Sequence, residues 1–185
     1  MIDAGDLRTG QTIDRGGELF EVVDFAHVKL GRGSAFVRAK FRKLSNGAVA
    51  EETFRPEEKF VHAFIDHVSA MLLYRDGDMF QVMDSTSYDQ FALPASLFGE
   101  GGKFATDNLE IELLQYEGKT IGVELPITVS LLVTQTDPGF KGDTANPGTK
   151  PAKLETGATI DVPLFVNEGD KVKIDTRTGR YVERV

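Results

Sequence analysis

Cysteine and tryptophan are absent from this chain of 185 residues, and histidine occurs only three times. Without cysteine the chain has no disulfide, no thiol nucleophile and no cysteine-ligated zinc, which suits a reducing cytoplasm. Its apolar runs are only a few residues long, too short for a membrane-spanning helix. The first residues, Met1 to Asp6, are acidic where a signal peptide would be basic and then apolar, so we expect a cytoplasmic protein.

Groups suited to catalysis or metal binding are also scarce. The histidines, His27, His62 and His67, show neither metal-ligand spacing nor a His-Glu-x-x-His pattern, so we expect no metal site. The Gly-Arg-Gly at 31–33 lacks the third glycine of a dinucleotide fingerprint, and the Gly-Thr-Lys at 148–150 lacks phosphate-loop spacing. No serine or carboxylate forms a recognisable nucleophile–base pair. We therefore expect a binding protein without a cofactor, not an enzyme.

The charge is unevenly distributed along the chain. The net charge is −8, and the whole deficit falls in 65–127, which holds three cations and eleven acids. In contrast, 25–50 contains no acid at all. Its six cations are Lys29, Arg32, Arg38, Lys40, Arg42 and Lys43. Because local fields guide association more than net charge does, this stretch favours a polyanion-binding surface; the alternative is an ordinary solvated strand face.

The basic stretch is centred on a hairpin. Strand-forming residues at 19–28 and 35–44 flank the tip, where Gly31 and Gly33 stand on either side of Arg32. Glycine tolerates positive φ, so the chain can reverse here and present one long cation at the tip, although both glycines could serve the turn alone. Within 35–42 apolar and mostly basic residues alternate, which predicts one buried and one basic strand face.

The remaining pattern predicts an all-β protein of three small barrels. No long segment has helical periodicity, and short strands follow one another between regular turn signals. We assign 1–64 to an SH3-like barrel, and 65–127 and 128–185 each to a five-stranded oligonucleotide-binding (OB) barrel. The glycines at 99–102 indicate a loop. Three prolines and three glycines in 137–151 predict a long loop that excludes a helix or a central strand.

Several short motifs follow one another along the chain: 28–36 with Thr53-Phe54, Tyr74-Arg75-Asp76-Gly77, Lys141-Gly142-Asp143-Thr144, Lys150-Pro151-Ala152, 154–157, 162–166 and 175–182. Together these motifs resemble the bacterial translation elongation factor P family. The likeness covers the whole chain in the family's order. It implies an L-shaped, tRNA-like arrangement of one SH3-like and two OB domains. It also implies binding between the peptidyl-tRNA and exit sites of the ribosome, where the family relieves stalling at consecutive prolines.

The resemblance also implies partners and site residues. The partners are the 70S ribosome with its rRNA, the peptidyl-tRNA and the exit-site mRNA codon; we expect a monomer with no membrane contact. Arg32 would point at the peptidyl-transferase centre. The tip loop is formed by Lys29, Gly31, Gly33 and Ser34. The contacts to the tRNA or rRNA backbone come from Arg38, Lys40, Arg42 and Lys43. The small-subunit loop contains Gly142, Asp143 and Thr144, and the C-terminal RNA contacts are Tyr181 and Arg184. The loop residues could instead cap their own turn, and the tyrosine could be a core residue.

One departure concerns the tip. Many relatives place there a lysine that receives an aminoalkyl extension, and this chemistry cannot apply to Arg32. Some arginine-tip relatives carry a rhamnose on that arginine, so rhamnosylation of Arg32 by a modifying enzyme stays open. Leu30 also replaces a proline that is common in lysine-tip members.

Two other interpretations of the sequence are a paralogue of this family that serves other stalling motifs and a general single-strand RNA binder.

Overall fold

The computed structural model describes residues 1–29, 31, 33, 35–139 and 148–185. Regular structure in this part of the chain consists of β-strands and 3-10 helices, which confirms the predicted all-β class. The chain divides into two compact units, Met1–Asp66 with Tyr116–Lys119, and His67–Gln115 with Thr120–Val185. The domain boundaries at 64/65 and 127/128 stay predictions.

The first unit contains one curled antiparallel sheet with the strand order β1-β6-β2-β3-β4-β5. Its strands are β1 (Ile2–Asp3), β2 (Thr12–Arg15), β3 (Glu18–Val28), β4 (Phe36–Lys43), β5 (Val49–Phe54) and β6 (Lys59–Ala63), with a 3-10 helix at Ala4–Asp6. The alternation predicted for β4 is confirmed, since Val37, Ala39 and Phe41 are buried and Arg38 and Arg42 are exposed. One apolar face per strand is therefore what closes this sheet around its core.

An aromatic cluster fills that core, and one arginine lies against it. Phe41, Phe54 and Phe60 pack with ring centroids 5.0–6.2 Å apart. The Arg15 guanidinium lies within 5.7 Å of the centroids of Phe41 and Phe54 and donates two hydrogen bonds to Glu52, at 2.8 and 3.0 Å. The hydrogen bond from Arg15 lowers the pKa of Glu52. The Arg15–Glu52 pair therefore covers the edge of the core, and each of the two charged groups has an oppositely charged hydrogen-bond partner.

A double-mutant cycle on this pair tests that arrangement. We expect Arg15→Gln and Glu52→Gln to be coupled by about 1 kcal/mol, because the bond is bidentate and only partly exposed. Urea unfolding followed by circular dichroism measures the free energies. Strict additivity of the two substitutions would show that the ring contacts, and not the ion pair, hold Arg15 in place.

The second unit contains two five-stranded antiparallel sheets. The second sheet comprises β7 (Asp66–Asp76), β8 (Met79–Asp84), β9 (Gln90–Pro94), β10 (Leu109–Tyr116) and β11 (Lys119–Glu124); the third comprises β12 (Thr128–Thr136), β13 (Thr149–Leu154), β14 (Thr159–Pro163), β15 (Lys171–Asp175) and β16 (Arg180–Arg184). Their orders are β11-β10-β7-β8-β9 and β14-β13-β12-β15-β16. Counted from its own first strand, each sheet has the order 3-2-1-4-5. In the third sheet β14 also lies beside β16, which closes a barrel.

The glycines at 99–102 are not a loop, contrary to the prediction. A 3-10 helix runs through Ala95–Phe104, interrupted at Gly99, where φ is +58°. Gly102 lies so close to Phe98 that a Cβ atom would come within 2.9 Å of it. The glycines allow this tight packing, and Phe104 at the end of the helix is buried in the core of the third sheet. Sequence periodicity did not indicate that helical structure continues across 99–102, because this part depends on the close approach of Gly102 to Phe98.

The proline-containing strand β13 also differs from the prediction. β13 begins at Thr149 and lies between β12 and β14, so a segment of the expected loop is a central strand. Its register with β12 ends at Thr136 opposite Ala152, whereas Pro151 pairs in register with Asp161 of β14. Pro151 therefore stands beyond the end of the β12 ladder, where a missing N–H is tolerated as it is at a sheet edge.

Candidate nucleic-acid interface

The hairpin of β3 and β4 forms an arm of the first sheet. Its pairing continues to Val28 opposite Phe36, and exposure increases beyond the buried Val22. A register shift between Val22 and Asp24 marks the point where the arm leaves the core, as β-bulges commonly do. The arm thus carries the chain away from the core toward residues 29–35.

The tip is described only in part. Lys29, Gly31 and Gly33 are exposed, and Gly31 has φ +43°, so one of the two glycines adopts the backbone geometry that favours glycine. Arg32 and Ser34 lie outside the described residues, and the position of Arg32 at the tip stays a prediction.

Most cations of β4 have acidic neighbours on the adjacent strands. Arg42 and Lys43 form ion pairs with Glu21 and Glu18 of β3. Arg38 lies 3.6 Å from Glu51 of β5, measured from Nε to Oε1. Lys40 stands in register with Asp24 on one side and Glu51 on the other. The stretch is therefore free of acids only in the linear sequence. In the folded sheet, strand pairing brings acids from both neighbouring strands beside it.

These cross-strand pairs change what the face can offer to RNA. A cation engaged with a carboxylate must break or share that pair before it neutralises a phosphate, and exposed pairs are weak enough for this exchange. Binding through the four cations of β4 would accordingly show a shallower salt dependence than four free cations would give.

The third sheet holds both ends of the predicted small-subunit loop. Gly139 and Gly148 lie on either side of the loop, and both approach Leu164. A Cβ atom on Gly139 would stand 2.9 Å from the Leu164 carbonyl carbon and nearer still to its oxygen. Lys150 is buried, and its Nζ donates a hydrogen bond to the Asp137 carbonyl. Gly142, Asp143 and Thr144 themselves lie outside the described residues.

The predicted C-terminal contacts occupy different environments. The Arg184 guanidinium lies over the Phe165 ring, 5.5 Å from its centroid, and its Nη1 donates to Asp170 Oδ2 at 3.4 Å. Tyr181 is partly buried and packs against the third core, which fits the core interpretation as well as an RNA contact. Since Phe165 follows Leu164, Arg184 and the ends of the loop meet at one end of this sheet. Sequence reasoning missed Phe165, whose only signal was its position beside a buried apolar run.

The turn before β16 is built around one carboxylate. Asp175 Oδ1 accepts hydrogen bonds from the backbone N–H groups of Arg177 and Thr178, at 2.9 and 3.3 Å, and Oδ2 accepts one from Arg177 Nη2 at 2.8 Å. The Arg177 side chain and these N–H groups lower the pKa of Asp175 from its ordinary 3.8 to about 2. Gly179, at φ +69°, completes the turn. The turn at the start of this motif is therefore held by its own hydrogen bonds.

The Asp175 turn makes a testable prediction about pH. Because the folded pKa lies below the unfolded one, this carboxylate stabilises the turn fully above about pH 4 and loses that effect as the pH falls through about 2. In Arg177→Gln we expect the NMR titration midpoint of Asp175 to rise from about 2 toward 3.8. An unchanged midpoint would assign the shift to the backbone N–H groups alone.

A small polar cluster lies elsewhere in the second unit. Ligand-type atoms of His67, Glu112 and Glu124 lie within 4.8 Å of one another, from three different strands or strand ends. All three residues are exposed, and His67 Nδ1 lies 3.2 Å from Glu112 Oε2. The geometry is that of a hydrogen-bonded surface pair with a third carboxylate nearby. Sequence spacing could not have indicated it.

In the described ranges, no helix is long and apolar enough to cross a membrane.

Comparison with protein families matches residues 3–60 to the elongation factor P KOW-like domain, 65–123 to the elongation factor P OB domain, and 129–184 to the elongation factor P C-terminal domain. These matches agree with the one curled sheet and two sheets of equal strand order described above.

Curated relatives and solved structures agree with the domain matches. The chain is 48% identical over 185 residues to elongation factor P of Lachnoclostridium phytofermentans and 50% identical to that of Pelotomaculum thermopropionicum, with complete coverage of both chains in each case. A structure titled eukaryotic translation initiation factor 5A, from Methanococcus jannaschii, superposes with TM-score 0.54 at 25% identity, covering 68% of this chain and 90% of that one. The chain therefore belongs to the elongation factor P family of translation elongation factors.

Proposed function

We propose that this protein binds the ribosome between the peptidyl-tRNA and exit sites and positions the peptidyl-tRNA, so that stalling at consecutive prolines is relieved. The observation that carries the proposal is the β3–β4 arm, which extends from a packed core to an exposed glycine-containing tip in a chain of this family. On this proposal the protein works as a monomer in the cytoplasm.

Positioning alone is sufficient to accelerate this reaction. A prolyl amine is a hindered secondary nucleophile with a restricted φ, so peptide-bond formation suffers when the peptidyl-tRNA is badly placed. Holding the reacting groups in a near-attack geometry can gain several orders of magnitude in rate. The ribosome supplies the chemistry, and the factor needs no nucleophile or general base of its own.

The tip residue has the chemistry that such a role requires. Arg32 combines reach with a permanent charge and several donors, which suit contacts to phosphate or to a ribose hydroxyl near the tRNA end. Lys29, Gly31, Gly33 and Ser34 shape the tip around it. Whether Arg32 acts unmodified or as a rhamnosylated residue determines how far the tip reaches, and a modifying enzyme is a second proposed partner.

The third sheet provides the other proposed contact. The loop that contains Gly142, Asp143 and Thr144 would face the small subunit and the exit-site codon. Its ends lie beside Leu164, close to Arg184, which supports a common RNA-facing end for these two predicted contacts. A tRNA-like, L-shaped arrangement of the domains would allow both ends of the protein to engage at once, and it stays a prediction.

The proposal is tested in a reconstituted translation system. The template encodes three consecutive prolines, and a matched template replaces them with alanines. We expect the protein to increase full-length product from the first template and to leave the second unchanged. Equal stimulation of both templates, or of neither, would contradict the proposal. Templates with other stalling sequences distinguish a paralogue that serves a different motif, and binding to free RNA of unrelated sequence would support the general RNA binder.

A further inference from the structure

Phe165 is an exposed aromatic residue in the turn that follows β14. It is 57% exposed, although the next residue, Val166, is completely buried in the third core. A ring of this size left in water forgoes the stabilisation that burial would supply. The sheet therefore presents it outward at the end where the small-subunit loop begins and ends.

An anchored guanidinium lies over this ring. The Arg184 side chain is held between the Phe165 face, 5.5 Å from the centroid, and Asp170 Oδ2 at 3.4 Å. Asp170 is itself fixed, because its Oδ2 accepts the Asn167 N–H at 2.9 Å. The ring and the planar cation thus form one surface whose parts are already ordered before any partner arrives.

The chemistry of this surface suits an unstacked nucleobase. Bases splayed out of single-stranded or loop RNA stack on aromatic rings and on arginine planes, and this contact tolerates any base identity. A protein partner would need a broader apolar patch, whereas the neighbours of Phe165 here are Arg184, Asp170 and Asn167. An RNA partner also agrees with Arg184 as a predicted RNA contact.

From this geometry we propose that Phe165 and Arg184 form a stacking platform for one unpaired base of ribosomal or messenger RNA. The inference rests on the proposed function and deepens it, because it assigns a base contact to the small-subunit end. The platform goes beyond the predicted RNA contact of Arg184 alone, because stacking on the Phe165 ring adds an interaction that depends little on salt concentration.

The test compares affinities for ribosomes stalled on the three-proline template. We expect Phe165→Leu to bind about tenfold more weakly, as the loss of one base–aromatic stack predicts, and Phe165→Trp to bind like the wild type. Tyr88→Leu is the matched control, because it removes another exposed aromatic residue, 70% exposed, in the turn between β8 and β9. Thermal unfolding of Phe165→Leu should match the wild type, which separates a contact role from a folding role.

Each outcome decides the question. Wild-type affinity for Phe165→Leu, or equal weakening by Tyr88→Leu, overturns the platform. If the wild type itself does not bind stalled ribosomes, the proposed function fails and not the platform alone. A benzophenone amino acid at position 165 identifies the source of the base: cross-links to ribosomal RNA or to the template RNA support the platform, and cross-links only to ribosomal proteins overturn it.

Discussion

Arg32→Ala is expected to reduce product from the three-proline template by at least about tenfold while leaving affinity for the stalled ribosome within a few-fold. The factor's other contacts with the ribosome are expected to be equally strong in the ground state and in the transition state of peptide-bond formation. The tip is expected to contribute mainly in the transition state, where the peptidyl-tRNA and the prolyl amine must be aligned. The measurement is the yield and rate of full-length product at saturating factor, together with a separate binding constant.

Two control variants sharpen the Arg32 experiment. Arg55→Ala removes an exposed arginine of the first unit, at the turn between β5 and β6, and should behave like the wild type. Arg32→Lys keeps the charge but loses the planar guanidinium and any sugar attached to it, so partial activity would show that charge alone supplies part of the effect. The intact mass of each protein preparation shows whether Arg32 is modified. Full activity of Arg32→Ala would show that the tip does not carry the function.

Gly139→Ala is expected to destabilise the third sheet by about 2–3 kcal/mol, the upper range for forcing extra atoms into a packed site. The added methyl group would meet the Leu164 backbone carbonyl, which cannot rotate away as a side chain can. Either the start of the loop or the segment after β14 must therefore move. Hydrogen exchange of the β13 and β14 amides measures the loss of local stability, because it reports opening of this sheet separately from the first unit.

Gly148→Ala provides the matched control at the other end of the same loop. A Cβ atom there would meet Leu164 Cδ1 at 3.4 Å, which is ordinary van der Waals contact with a flexible side chain. We expect a change within about 0.5 kcal/mol. Equal destabilisation by both variants would contradict the role assigned to the close approach of Gly139 to Leu164. If Gly139→Ala also lowers rescue of the three-proline template, the loop depends on this anchor.

Much of the local structure follows from the sequence alone. Alternating residues in β4 predicted the buried face of Val37, Ala39 and Phe41, because a strand turns successive side chains to opposite faces whatever it pairs with. The strands predicted at 19–28 and 35–44 are found at Glu18–Val28 and Phe36–Lys43 for the same local reason. The family could be recognised because short motifs occur in one order over the whole length.

The sequence could not show which residues from distant strands become neighbours. Three cations of the stretch without acids, Arg38, Arg42 and Lys43, have acidic partners because strand pairing brings Glu51, Glu21 and Glu18 beside them from β5 and β3. The helix through 99–102 and the central position of β13 likewise depend on packing and register between segments remote in the chain.

The anchors of the small-subunit loop are the clearest case of this division. Residues 137–151 indicated a long loop by composition, but only the folded sheet brings Gly139 and Gly148 to Leu164 and buries Lys150 against the Asp137 carbonyl. The same folding event places Phe165 beneath Arg184, about twenty residues away. The sequence by itself determined strand faces, turns and family, which depend on neighbouring residues. The tertiary structure alone decided charge pairing, loop anchoring and the exposed ring, because these arise from contacts between strands far apart in the chain.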